Sequence, residues 1–127
     1  MIEKDAVTPT RFVGAILAAV YEKNKNKLDL PADKLKLHSI FFKVGQTNKD
    51  LFAILEFDTR TACPYSPALD NAMANIQASN ALRRENPPMT KLVVKENILG
   101  YKKRIEETLK YDLNPIADEF SRTLEKV

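Results

Sequence analysis

Three cap-plus-proline pairs set where helices in this chain start. Thr8-Pro9, Ser66-Pro67 and Asn114-Pro115 each place a short polar side chain directly ahead of a proline. The side-chain oxygen satisfies an N–H of the first turn, and proline at the first helical position has no N–H to leave unpaired. A fourth proline pattern acts the other way. Asn86-Pro87-Pro88-Met89 cannot supply ladder hydrogen bonds, so it reads as a turn between strands.

Between these points the apolar spacing gives the elements. Phe12, Val13, Ile16, Leu17 and Val20 recur at helical spacing and form one broad apolar face, with Ala15, Ala18 and Ala19 beside it. That helix is expected to end near Tyr21–Lys23, before the polar Lys-Asn loop that runs to Lys27. Pro31 is expected to open a second helix, burying Leu35, Leu37, Phe41, Phe42 and Val44 and closing at Gly45. Thr47-Asn48 then caps a short helix carrying Leu51, Phe52, Ile54 and Leu55. A strand over 51–57 fits the same run, and the helix is preferred.

Ser66-Pro67 begins the next helix, with Asp70 in its first turn and Leu69, Met73 and Ile76 as its buried stripe. After a break near Ser79-Asn80, Ala81–Glu85 and Thr90–Val94 flank the diproline turn as a hairpin. Beyond Lys95, Ile98, Tyr101, Ile105 and Leu109 and then Ile116, Phe120 and Leu124 mark two antiparallel helices joined around Asp112–Asn114. Residues 1–7 read as a loose arm. The expected fold is α+β and mostly helical, one domain in all. A core spans 1–95, and a helical extension, 96–127, either packs on that core or dimerises.

The order of helices followed by a two-stranded hairpin resembles the winged-helix arrangement, a relative of helix-turn-helix. The resemblance rests on Phe57-Asp58 and Pro64-Tyr65-Ser66-Pro67-Ala68-Leu69. These residues are similar to small bacterial or phage-type winged-helix proteins in which a Pro-Tyr-Ser-x-x-Leu phrase starts the third helix. The likeness covers residues 8–95. It departs at Cys63, where a glycine commonly stands. It implies that Tyr65 packs beneath the helix start, that Ser66 caps it, and that residues 67–79 form a recognition helix.

On that analogy Asn71, Asn75 and Gln77 contact bases, because amide side chains pair bidentately with adenine. Arg83, Arg84 and Lys91 on the hairpin contact phosphates. The helix itself holds no Lys or Arg, which favours a second reading, a protein-interaction module of the same fold. Fourteen basic and ten acidic side chains lie in residues 1–95 against six and seven in 96–127, so the first part is the more basic. The expected partner is double-stranded DNA, with a homodimer through the C-terminal helices as a second expectation.

Other chemistries find little support. His38, the single histidine, has no nucleophile near it in sequence, so a packed or surface side chain is expected. Cys63 shows no activating pattern with it, and one cysteine excludes both an internal disulfide and a zinc site of its own. Glu106-Glu107 and Asp118-Glu119 diverge by about 100° around their helices, so neither pair is a carboxylate dyad. Lys102-Lys103-Arg104 reads as a solvated helix face. Three glycines leave no phosphate-cradling loop. No catalysis and no cofactor are expected. The longest apolar run, Val13–Tyr21, is half of a membrane span, and Ile2-Glu3-Lys4-Asp5 sets acids where a signal peptide is basic. A cytoplasmic protein without membrane contact is expected.

Overall fold

A computed structural model describes residues 8–31, 33–60, 64–85, 91–101 and 113–125. The arm at 1–7, Cys63, the diproline turn and the charged run at 102–107 lie outside them. The first helix, α1 (Pro9–Lys23), starts as its cap predicts, with Thr8 Oγ1 accepting from Arg11 N at 3.2 Å. Its burial differs from expectation. Every residue from Phe12 to Tyr21 is buried, so α1 has no solvent face along that stretch and forms the axis of the core. Ala15, Ala18 and Ala19, small enough to let another helix pack close, are covered as well. A helix apolar all round belongs at the centre of a domain.

Pro31 does not open a helix. It is the last residue of a short strand, β1 (Asp29–Pro31), which pairs antiparallel with a later strand through Leu30 and Leu92. Proline is tolerated there because β1 is an edge strand and one of its sides needs no donor. Helix α2 (Lys34–Gly45) starts instead at Asp33, whose Oδ1 accepts from Leu35 N at 2.9 Å and Lys36 N at 3.4 Å. The helix thus begins three residues later than expected, and Leu35 in its first turn is 54% exposed. Gly45 is the last helical residue rather than a left-handed cap, and no glycine adopts a positive φ among the described residues. A Cβ on Gly45 would lie 3.1 Å from Phe52, so close packing accounts for the glycine.

The short helix α3 (Lys49–Phe52) forms and runs into a 3₁₀ turn at Ala53–Leu55, but Asn48 at its cap makes no capping hydrogen bond with its side chain. Glu56 then reverses the chain in the left-handed region, at φ 48°. Helix α4 (Pro67–Ala78) follows, then β2 (Leu82–Glu85) and β3 (Lys91–Val94). The sheet is a three-stranded antiparallel one in the order β1-β3-β2, not the two-stranded hairpin expected. Leu30, Leu82, Leu92 and Val94 are its buried side chains. An isolated hairpin is marginal in water, and pairing with β1 anchors β2 and β3 to the α1–α2 connection.

After β3, a 3₁₀ turn at Glu96–Ile98 and helical residues at 99–101 return along α1. The last described helix, α5 (Asn114–Glu125), begins at Asn114 itself, one residue before the cap pattern places it. Ile116, Ala117 and Phe120 are buried, and α5 packs on α1 and α2, with Phe120 edge-on to Phe41 at 5.1 Å. These described residues of the C-terminal extension pack on the chain's own core. Asp118 and Glu119 diverge as expected. Asp118 pairs with Lys23 at 2.6 Å, and Glu119 accepts from Thr47 Oγ1 at 2.9 Å.

One contact along α1 has a sharp consequence. A Cβ on Gly14 would come within 2.5 Å of Tyr101 Cγ, the root of the ring, whereas Gly100 opens on free space. Gly14→Ala should lower unfolding free energy by about 1–3 kcal/mol, the usual cost of overpacking. Gly100→Ala should be neutral or raise it by up to about 1 kcal/mol, because alanine is the better helix former. Urea denaturation of the two variants checks both signs.

Candidate functional site between α2 and α4

The side chains that fix α4 in place also shape the surface beside it. Ser66 caps α4 as the sequence predicts, its Oγ accepting from Leu69 N at 2.9 Å. The same hydroxyl donates to the Leu55 carbonyl, so the cap is tied to the end of the 3₁₀ turn. Asp70 N donates to the Ser66 carbonyl at 3.0 Å. That carbonyl also faces His38 Nε2 at 3.1 Å, while His38 Nδ1 faces the Lys34 carbonyl at 2.8 Å. His38, 1% exposed, is thus a packed side chain, as expected, bridging α2 to the start of α4.

The Tyr65 ring stacks on the imidazole, with centroids 4.7 Å apart and planes at 14°, and is 36% exposed. Phe57 meets His38 edge-on at 6.3 Å. Asp58 and Tyr65 form an isolated antiparallel bridge, with N–H to carbonyl distances of 2.7 and 3.1 Å, which closes the loop between them. Arg60 folds back on Asp58, donating Nε and Nη2 to its two carboxylate oxygens and its own backbone N–H to one, each at 3.0 Å. Those bonds draw the Asp58 carboxyl down to about 2.

Asp70 links this cluster to the groove. Its Oδ2 accepts from the Tyr65 hydroxyl at 3.0 Å and from Lys34 Nζ at 3.3 Å. Partial burial opposes its charge, but the two hydrogen bonds and the ammonium outweigh burial and hold the carboxyl below the ordinary aspartate range. The same bond pushes the Tyr65 phenol up, since losing its proton would set a phenolate against the carboxylate. A groove of about 200 Å³ runs from there between α2 and α4, lined also by Leu37, Met73, Ala74, Gln77 and Leu92.

The residues expected to touch DNA lie on α4 and on the β2–β3 hairpin. Asn71 and Gln77 are exposed and both line the groove. Asn75 is exposed about 40° from Asn71 around α4, and its Nδ2 donates to Thr10 Oγ1 of α1 at 3.0 Å. Positions 75 and 77 are about 200° apart on a helix, so they cannot share a contact face. Arg83 is exposed and pairs through its backbone with Val93. Arg84 pairs with Leu92, and Lys91 with Glu85 and Pro31; their side chains lie outside the described residues. His38, Tyr65, Asp70 and Lys34 are the residues sequence reasoning missed as a unit. Tyr65 and Asp70, near the Ser66 cap, were visible, but nothing local tied them to α2.

No known protein family, curated protein or solved structure matches the chain. Among the described residues no cluster of His, Cys, Asp and Glu is suited to a metal, and no helix is long and apolar enough to cross a membrane.

Two substitutions test the cluster. Ser66→Ala removes the cap and leaves the Leu55 carbonyl without its hydroxyl donor, so it should cost about 1–3 kcal/mol in chemical denaturation. For Asp70, a folded-state pKa below the unfolded one means stability that is present above the unfolded value and lost as pH falls through the folded one. Asp70→Asn should therefore reduce the acid-induced loss of stability below about pH 4. Urea midpoints measured across that range for both proteins give the comparison, with the loss due to Asp58 expected in each.

Proposed function

We propose that the chain is a cytoplasmic winged-helix protein that binds duplex DNA through α4 and the β2–β3 hairpin, as a transcriptional regulator does. The observation that carries this reading is the placement of α4. Its outer face presents the amides of Asn71 and Gln77, while a hairpin bearing exposed Arg83 is anchored beside the helix set through β1. A rigid helix with exposed amides can read base edges, and a neighbouring cationic strand can follow a phosphate backbone. Asn75, held by Thr10, drops to a supporting role. Of the C-terminal stripe, Ile98, Ile116 and Phe120 are buried within the chain among the described residues.

A second reading has its own observation. The exposed face of α4 holds no Lys or Arg, and Asp70 adds a negative charge at its start. Duplex binding draws much of its affinity from neutralised phosphates. A protein-interaction module that keeps this fold without touching DNA accounts for that face directly.

Fluorescence anisotropy on random-sequence duplex DNA, titrated from low to physiological salt, separates the two. DNA binding should weaken steeply with salt. Replacing both Arg83 and Arg84 with alanine should lower affinity alike on all sequences and reduce the salt slope by about one to two. Absence of binding even at low salt would leave the protein-interaction reading.

A further inference from the structure

We propose that the groove between α2 and α4 binds a free α-amino acid with an apolar side chain. Its two ends differ in chemistry. Where the helices begin, Lys34 Nζ and Asp70 Oδ2 lie 3.3 Å apart, so a cation and an anion stand side by side at the mouth. Further along, Leu37, Met73, Ala74 and Leu92 supply apolar wall. From Asp70 to Gln77 the helix rises about 10 Å. At about 200 Å³ the groove falls below the size of pockets that take larger ligands, which points to a molecule the size of one amino acid.

Charge complementarity selects the head group. An α-amino acid carries an ammonium and a carboxylate on one carbon, and these can face Asp70 and Lys34 together. A fatty acid would meet Asp70 with like charge, and an alkylamine would meet Lys34 with like charge. Each therefore loses on one side what it gains on the other. The groove's own ion pair is easily opened, because the Lys34 side chain is 68% exposed and exposed pairs contribute little. Both side-chain hydrogen bonds to Asp70 fall on Oδ2 among the described residues, so Oδ1 is available to accept from an ammonium. The amides of Asn71 and Gln77 line the same groove and make no hydrogen bond among the described residues, so they can meet the backbone atoms of the ligand. Tyr65 and His38 hold Asp70 and the start of α4 in place and contribute no binding atom.

Isothermal titration calorimetry of the full chain with L-leucine, L-methionine, L-valine and L-phenylalanine tests the proposal. No DNA is present, so the result is independent of the reading above. At least one of these should give saturable heat. Three probes each lack one element of that chemistry: isocaproic acid has no ammonium, isoamylamine no carboxylate and glycine no side chain. Each should bind at least tenfold more weakly. Ala74→Leu fills the groove from an exposed helical position and should lower affinity at least tenfold with an unchanged melting curve. No heat from any of the four amino acids at millimolar concentration would overturn the proposal. Equal binding of isocaproic acid or isoamylamine, or full binding by Ala74→Leu, would do the same.

Discussion

The Ser66 hydroxyl joins two pieces of backbone that are distant along the fold's path. It accepts from Leu69 N, which starts α4, and donates to the Leu55 carbonyl, which ends the 3₁₀ turn. The carbonyl of the same residue faces the imidazole of His38 on α2. Ser66 and His38 are the buried polar side chains among the described residues. A polar group away from water must be partnered, and its partners must sit at hydrogen-bond distance and angle. Three segments are thereby held in one arrangement. The angle between α2 and α4, and with it the groove, follows from that junction.

Around it the core is organised by α1. A helix buried from Phe12 to Tyr21 needs neighbours on every side, and the chain supplies α4, α5 and the 3₁₀ turn after β3. Close approach is achieved by leaving out atoms where the rings arrive. Gly14 lies under Tyr101 and Gly45 against Phe52. Phe12 also meets Phe52 edge-on at 5.1 Å, so the short α3 is pinned to the central helix. The small sheet covers what the helices leave, with Leu30, Leu82, Leu92 and Val94 turned to the core.

The electrostatics of the α2–α4 face are short-range. Lys34, Asp70 and Tyr65 satisfy one another at the surface, and none of them produces a broad positive field. Arg83 adds an exposed cation on β2.

The helix starts at Pro9 and Pro67 were legible in the sequence, as were the stripe of α4 and the strands at Leu82–Glu85 and Lys91–Val94. In each the deciding contact is a few residues away: Thr8 caps Arg11 and Ser66 caps Leu69. Short-range hydrogen bonds and side-chain spacing are properties of the chain itself. Tertiary structure alone decided the rest. Pro31 resembles a helix start until its strand finds Lys91. Leu35 fits a buried stripe in sequence, yet the packing of α2 leaves it exposed in the first turn. Asn75 looks free until Thr10, 65 positions away in sequence, occupies its amide. The same holds for the site, where His38 gains its place only when Ser66 and Tyr65 arrive from another part of the chain. Contacts across such separations depend on how all the elements pack at once, and no local pattern encodes them.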